Sequence, residues 1–270
     1  SIIPLMSKPK FRGNNWDLFY ELVRTDFILR YHNSILGFIW VLLKPFLIFS
    51  ILVAVFSLAF KIQDRLYPLN LLLGLLLYSY FSEATLRGIT CLAEKSNIIL
   101  KVNFPKSIAI LTSVVNSFIS FFFGFLAFLG FWFWVRPDGQ LLNLPYFLLL
   151  VLILTILIIG LNFFLSIVYT KLKDLLSIWE VLLQLLLYLS PIIYPLSFVP
   201  DKYQTIFLLN PIAVIITQSQ AVLITGQVFD WRLVSYALIS AILVLIFGWI
   251  FFQNQIKKIK LRLYGTAITI

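Results

Sequence analysis

Six stretches of this sequence, roughly 38–60, 66–86, 108–135, 144–169, 175–199 and 233–252, are apolar over the length a chain needs to cross a bilayer. A hydrocarbon core of about 30 Å takes about 20 predominantly apolar residues in a helix. In lipid every backbone N–H and C=O must be satisfied within the segment itself, so runs of this kind form transmembrane helices. Composition supports the same class, because only 12% of the residues are charged, against about a quarter in a soluble domain. The sequence therefore predicts an all-α integral membrane protein, one transmembrane domain over residues 1–270.

The connectors orient the spans, because Lys and Arg accumulate on the cytoplasmic side. With the N-terminus inside, the front of the chain contributes Lys8, Lys10, Arg12, Arg24, Arg30 and Lys44 to that side. The second connector adds Arg87, Lys95, Lys101 and Lys106, the fourth Lys171 and Lys173, and the tail Lys257, Lys258, Lys260 and Arg262. Lys61, Arg65, Arg136, Lys202 and Arg232 remain outside, five of the 21 basic residues. This bias predicts a multi-pass protein with both termini in the cytoplasm. It also accounts for the net charge of +10 without nucleic acid.

Ahead of the first span, 14–33 reads as an interfacial amphipathic helix. Trp16, Phe19, Tyr20, Val23, Phe27 and Tyr31 recur at helical spacing, with Asp17, Glu21, Arg24 and Arg30 between them. Such a helix lies in the plane of the membrane surface. Ser34 to Gly37 then form the bend into span 1, with Gly37 as hinge, and His32 sits at the interface. Pro45 predicts a kink in span 1. Between spans 5 and 6 the chain stays apolar but carries Pro191, Pro195, Pro200 and Pro211. Broken backbone at membrane depth survives only when buried in protein or lining a watery cavity. Residues 192–225 are thus expected to form short helices that dip back into the outer leaflet.

Residues that could carry chemistry are few. There is one histidine and one cysteine, no cluster with metal-ligand spacing, no paired carboxylates in an outer loop and no G-x-x-x-x-G-K-[ST] phosphate loop. The chain is expected to hold no catalytic residue, metal or cofactor, so ATP would have to be bound by another chain. Ionisable residues inside spans point to function by default, and three qualify: Lys44, Glu83 and Glu180. Lys44 lies about six residues into span 1, roughly 9 Å deep, where it either snorkels to the interface or meets an anionic head group. Glu83 and Arg87 stand at i,i+4 and should pair, and Lys173 is the expected partner of Glu180. The aromatic runs FFFGF (121–125) and FWFW (131–134) could face lipid or a pore, with Trp132, Trp134 and Tyr146 accounted for as interfacial anchors. A short helix within 92–100, before Pro105, would be a handle for a cytoplasmic partner.

Several stretches together resemble one family. LRYHNSILGFIWVLLKP is similar to the joint between interfacial helix and first span in permease subunits of ATP-binding-cassette exporters, in the branch that moves O-antigen, capsule and teichoic-acid polymers. NIILKVNFPKSI resembles that branch's connector after span 2, YTKLKDLLSIWEVLLQLLLYLSPIIYPLSFVP its run from span 4 into span 5, and LLNPIAVII its Asn-Pro element before span 6. The chain departs from the pattern at Lys44, where an uncharged residue is usual, and in a more basic YTKLKD.

The resemblance implies a homodimeric pore in the cytoplasmic (inner) membrane, with two cytoplasmic ATPase subunits binding ATP and Mg. It implies an undecaprenyl-diphosphate-linked polysaccharide as substrate; a smaller lipid-linked or drug-like substrate, or an ATP-independent carrier, is the alternative. Under it, 92–103 is the coupling helix, with Glu94, Lys95, Asn97 and Leu100 meeting the ATPase. Arg24, Arg30 and Lys44 would offer positive charge to the lipid diphosphate at the cytoplasmic mouth. Pro191, Tyr194, Pro195 and Pro211 would set the breaks of an outer gate over 192–225.

Overall fold

Among the described residues every regular element is helical. The computed structural model describes residues 15–31, 39–60, 65–96, 104–135, 143–194 and 198–267. In chain order the helices are α1 (Asn15–Tyr31), α2 (Ile39–Phe60), α3 (Tyr67–Glu94), α4 (Ser107–Val135), α5 (Leu144–Tyr169), α6 (Leu175–Leu189), α7 (Asp201–Leu208), α8 (Pro211–Gln220) and α9 (Trp231–Ala267). A π-helical turn, Ala221–Thr225, follows α8. The expected bend at Ser34–Gly37, with His32, lies outside the described residues, as do Asn97, Leu100 and Pro195.

Among the described residues, four helices are long and apolar enough to cross a membrane: α3, α4, α5 and the Trp231–Ile256 part of α9. The pair α7–α8 adds a fifth if counted as one broken span, being bent by 103° between its halves. α2 is helical for 22 residues, and Pro45 lies inside it without ending it.

α3 is the hub, packed on α2, α4, α5, α6 and α8. Leu69, Leu71, Leu72, Leu73, Leu77 and Phe81 lie along it with no accessible surface. An aromatic ladder joins it to its neighbours. Tyr80 stacks on Phe121 at 5.1 Å, and Phe125, 6.0 Å from Phe121, stacks on Phe147 at 4.7 Å. The FFFGF run thus divides: Phe121 and Phe125 are core, while Phe122 and Phe123 face outward. Trp132 is also core, at 2% exposure, and is no surface anchor, whereas Trp134 is 78% exposed.

α5 and α9 cross at glycines. A Cβ on Gly248 would sit 2.1 Å from the carbonyl oxygen of Gly160, so the backbones touch as only small residues permit.

Three boundaries differ from the sequence reading. α3 runs to Glu94, about two turns beyond the expected end of span 2, because its buried face continues through Ile89, Cys91 and Leu92. Residues 92–94 therefore belong to that long helix and do not begin a separate one. α6 stops at Leu189, short of the expected 199. Pro191 forces the preceding Ser190 into an extended backbone, φ −102° and ψ 136°. α9 runs past 252 to Ala267.

The Asn-Pro element shows why α8 starts where it does. The Asn210 side chain accepts from the Ile212 backbone N–H at 3.0 Å, Pro211 takes the first turn, and Asn210 Nδ2 donates to Ser190 Oγ at 3.2 Å. One residue thus caps α8 and ties it to the end of α6.

Candidate functional site

α3 carries a polar site at each end. Asn70 and Arg87 are separated along it by about 26 Å at 1.5 Å per residue, nearly the depth of a hydrocarbon core, and the intervening face is leucine and aromatic.

The C-terminal end is charged. α1 lies against α4 here, burying Leu18 and Leu22 at 5% exposure each. Trp16 and Tyr20, on the stripe expected to be the apolar face, are 75% and 64% exposed. The face turned inward is instead Leu18, Leu22, Asp26 and Arg30, a stripe with a spacing of four.

Its charged members meet α3. Arg30 Nη1 lies 2.7 Å from Glu83 Oε1 and donates to Ser120 Oγ at 2.9 Å. Arg87 Nε reaches the same Glu83 oxygen at 3.1 Å, so the expected i,i+4 pair forms and gains a second guanidinium. Just past the end of α3, Lys95 is buried, at 7% exposure. Its ammonium lies 2.5 Å from Asp26 Oδ2 and donates to Thr112 Oγ1 at 2.6 Å and to the Ala109 carbonyl at 3.4 Å. All three of its N–H groups are occupied. Charge-assisted contacts of this kind are the strong ones.

Between α1, α3 and α4 they enclose a cavity of about 450 Å³, lined among others by Asp26, Arg30, Arg87, Glu94, Lys95 and Asn116. Asn116 donates to the Thr112 carbonyl at 3.1 Å, while its buried Oδ1 has no partner. A polar group entering here would find an acceptor and both signs of charge. No cluster of three or more His, Cys, Asp or Glu suited to a metal occurs among the described residues.

At the other end of α3 a cavity has a polar lining with no charged side chain among the described residues. It measures about 220 Å³ and lies between the start of α3, the 191–194 link and the end of α8. Tyr67 Oη donates to the Ile193 carbonyl at 2.8 Å, Gln220 Nε2 to the Asn70 carbonyl at 2.9 Å, and Tyr194 Oη to the Tyr188 carbonyl at 2.7 Å. Gly226, with φ +71°, terminates the π turn beside it in the left-handed conformation.

The residues singled out from sequence divide accordingly. Glu94, Lys95 and Arg30 share the charged cavity, with Glu94 exposed and Lys95 turned inward. Arg24 on α1 and Lys44 on α2 are exposed and line neither cavity. Pro191 and Tyr194 line the uncharged cavity, and Pro211 opens α8. The expected Lys173–Glu180 pair does not form: Lys173 Nζ lies 4.5 Å from the centroid of the Tyr169 ring, and Glu180 is exposed. Asp26, Ser120 and Asn116 escaped the sequence reading. The stripe at 18, 22, 26 and 30 was the signal that could have found the first of them.

A chain built of several bilayer-length apolar helices around a buried hub is a multi-pass membrane protein. It belongs to the ABC-2 type transporter family, whose model matches residues 17–224. It is similar to the O-antigen export system permease protein RfbA of Myxococcus xanthus, 26% identical over 240 residues that cover 87% of this chain and 90% of the relative. The protein of the same name from Klebsiella pneumoniae is 25% identical over 248 residues, 91% of this chain and 94% of the relative. The polysialic acid transport protein KpsM of Escherichia coli is 22% identical over 243 residues, 88% of this chain and 92% of the relative.

Proposed function

We propose that this chain is the membrane-spanning subunit of an ATP-driven exporter that carries an undecaprenyl-diphosphate-linked polysaccharide out across the cytoplasmic membrane. The observation that carries the reading is the end-to-end likeness to two kinds of polysaccharide-export protein, covering 87% of this chain and 90% of the relative in one case and 88% and 92% in another. In this reading α2, α3, α4, α5, α6 with the 190–194 link, and α9 are the six spans, α1 lies in the cytoplasmic interface, and α7–α8 is the re-entrant segment. Both termini are cytoplasmic, as the distribution of Lys and Arg supports.

Two copies form the pore, and two separate ATPase subunits bind ATP and Mg. Residues 92–103 make the contact with the ATPase, and Glu94 is exposed there among the described residues. Because Lys95 is bound to Asp26 of α1, force applied there passes directly to the interfacial helix. Arg24 and Lys44 supply exposed cations for the lipid diphosphate, with Arg30 deeper in the charged cavity.

Deleting the chain from its native cell is expected to abolish surface polysaccharide while lipid-linked polymer accumulates inside. Full-length polymer still reaching the surface would refute the function.

A further inference from the structure

The uncharged cavity at the N-terminal end of α3 has the chemistry of a carbohydrate site. Its polar lining includes Tyr67, Asn70, Tyr194, Thr217, Gln220 and Gln227, and none of the described residues that line it is charged. The amides offer donors and acceptors side by side, and the phenol oxygens, their protons already engaged, can still accept, which suits a pyranose with alternating hydroxyls. The half-buried Tyr194 ring stands at its wall, and the C–H face of a sugar ring packs on such a face, while Tyr67, 4% exposed, lines the cavity from within the core.

The rings are held in place before any ligand arrives. Tyr67 is fixed by its bond to the Ile193 carbonyl, and Tyr194 by its bond to the Tyr188 carbonyl and its edge contact with Phe207 at 6.4 Å. Preorganisation of this kind lowers the cost of binding. Asn70 and Gln227 are different, because their side-chain amides make no hydrogen bond to the described residues and remain available. The π turn behind the cavity is the kind of helix irregularity that recurs at functional sites.

Size sets the ligand. At about 220 Å³ the cavity is smaller than the pockets that enclose drug-sized ligands, which run about 300–1,000 Å³. It suits one sugar ring.

We propose that this cavity is a subsite for a single neutral sugar residue of the exported polymer, held between α3 and the α7–α8 segment at the outer end of the path. The proposal rests on the export reading above and narrows it. With no charged side chain among its described lining residues the cavity offers only neutral donors and acceptors, so it favours a neutral sugar residue over an acidic one.

The test uses the full chain in lipid nanodiscs and saturation-transfer NMR, with mannotriose and galactotriose as neutral probes and a trimer of sialic acid as the acidic one. At least one neutral trisaccharide should receive saturation and the sialic acid trimer should not. Asn70→Leu and Gln227→Leu should each weaken neutral binding at least tenfold. Neither side chain makes a hydrogen bond that holds the fold, and circular dichroism of both variants checks this. Absence of neutral binding, equal binding of the acidic trimer, or binding indifferent to both variants would overturn the subsite.

Failure of the function itself reads differently. Surface polymer that depends on the chain, with no trisaccharide bound, refutes the subsite alone. Trisaccharide binding in a protein whose deletion leaves surface polymer intact refutes the export reading alone.

Discussion

Asp26→Ala isolates the contact between the interfacial helix and the end of α3. The side chain of Lys95 is 8% exposed and that of Asp26 25%, and their charged atoms are 2.5 Å apart. Removing one partner of a fully buried pair costs about 3–5 kcal/mol, because the other charge is left uncompensated. An exposed pair is worth about 0.2–1 kcal/mol. With one partner a quarter exposed, the expected loss is about 2–3 kcal/mol, between those limits. That corresponds to roughly 30- to 140-fold in the folding equilibrium, at about 1.4 kcal/mol per tenfold.

Lys95 keeps its bonds to Thr112 and Ala109 in this variant, so the buried ammonium stays and carries the penalty. Asp26→Leu and Lys95→Met, made singly and together, form the cycle, and the double variant should lose far less than the two singles summed, since apolar groups of similar volume replace a buried pair at little cost. The assay is denaturant unfolding in mixed micelles across the double-mutant cycle. A single-variant loss below about 0.5 kcal/mol, or a double variant whose loss equals the sum of the two singles, would refute the clamp.

Three further outcomes are expected. Arg30→Gln should cost less than Asp26→Ala, about 1 kcal/mol, because Glu83 retains Arg87 at 3.1 Å, read in the same unfolding assay. Gly248→Ala drives a methyl to 2.1 Å from the Gly160 carbonyl, so α5 and α9 must spread, at about 1–3 kcal/mol, read as a lower melting temperature in detergent. Asn210→Ala removes the α8 cap, at about 1 kcal/mol, and its link to Ser190; limited proteolysis across 200–212 should accelerate several-fold.

What could be read from the sequence was what lipid forces on a chain. Bilayer-length apolar runs form helices, and α4 and α5 lie where those runs predict, while α3 starts where predicted and runs on to Glu94. The Glu83–Arg87 pair was legible because it is local and helical spacing fixes it. The prolines after Leu189 signalled broken helix but not how early α6 would end. The inward placement of Lys95 was not legible for a different reason. Its partner lies 69 positions away on α1, and the more conspicuous stripe on α1 was aromatic. Large rings at a membrane surface face outward, so the Leu18–Leu22–Asp26–Arg30 stripe was the face turned to the protein. Trp132 and Trp134 carry the same side chain two positions apart, yet only the tertiary fold decides which is core. The two cavities at the ends of α3 draw on residues scattered from Leu22 to Asn116 and from Tyr67 to Gln227, which no local pattern could assemble.

Reconstitution tests the central claim most directly. The chain is placed in proteoliposomes with its candidate ATPase subunit and lipid-linked polymer, and movement of the polymer to the far leaflet is followed with a membrane-impermeant glycosidase. The account predicts ATP-dependent movement that requires both proteins and stops when the ATPase is inactivated. Polymer movement by this chain without the ATPase, or none with both present and ATP supplied, would contradict it.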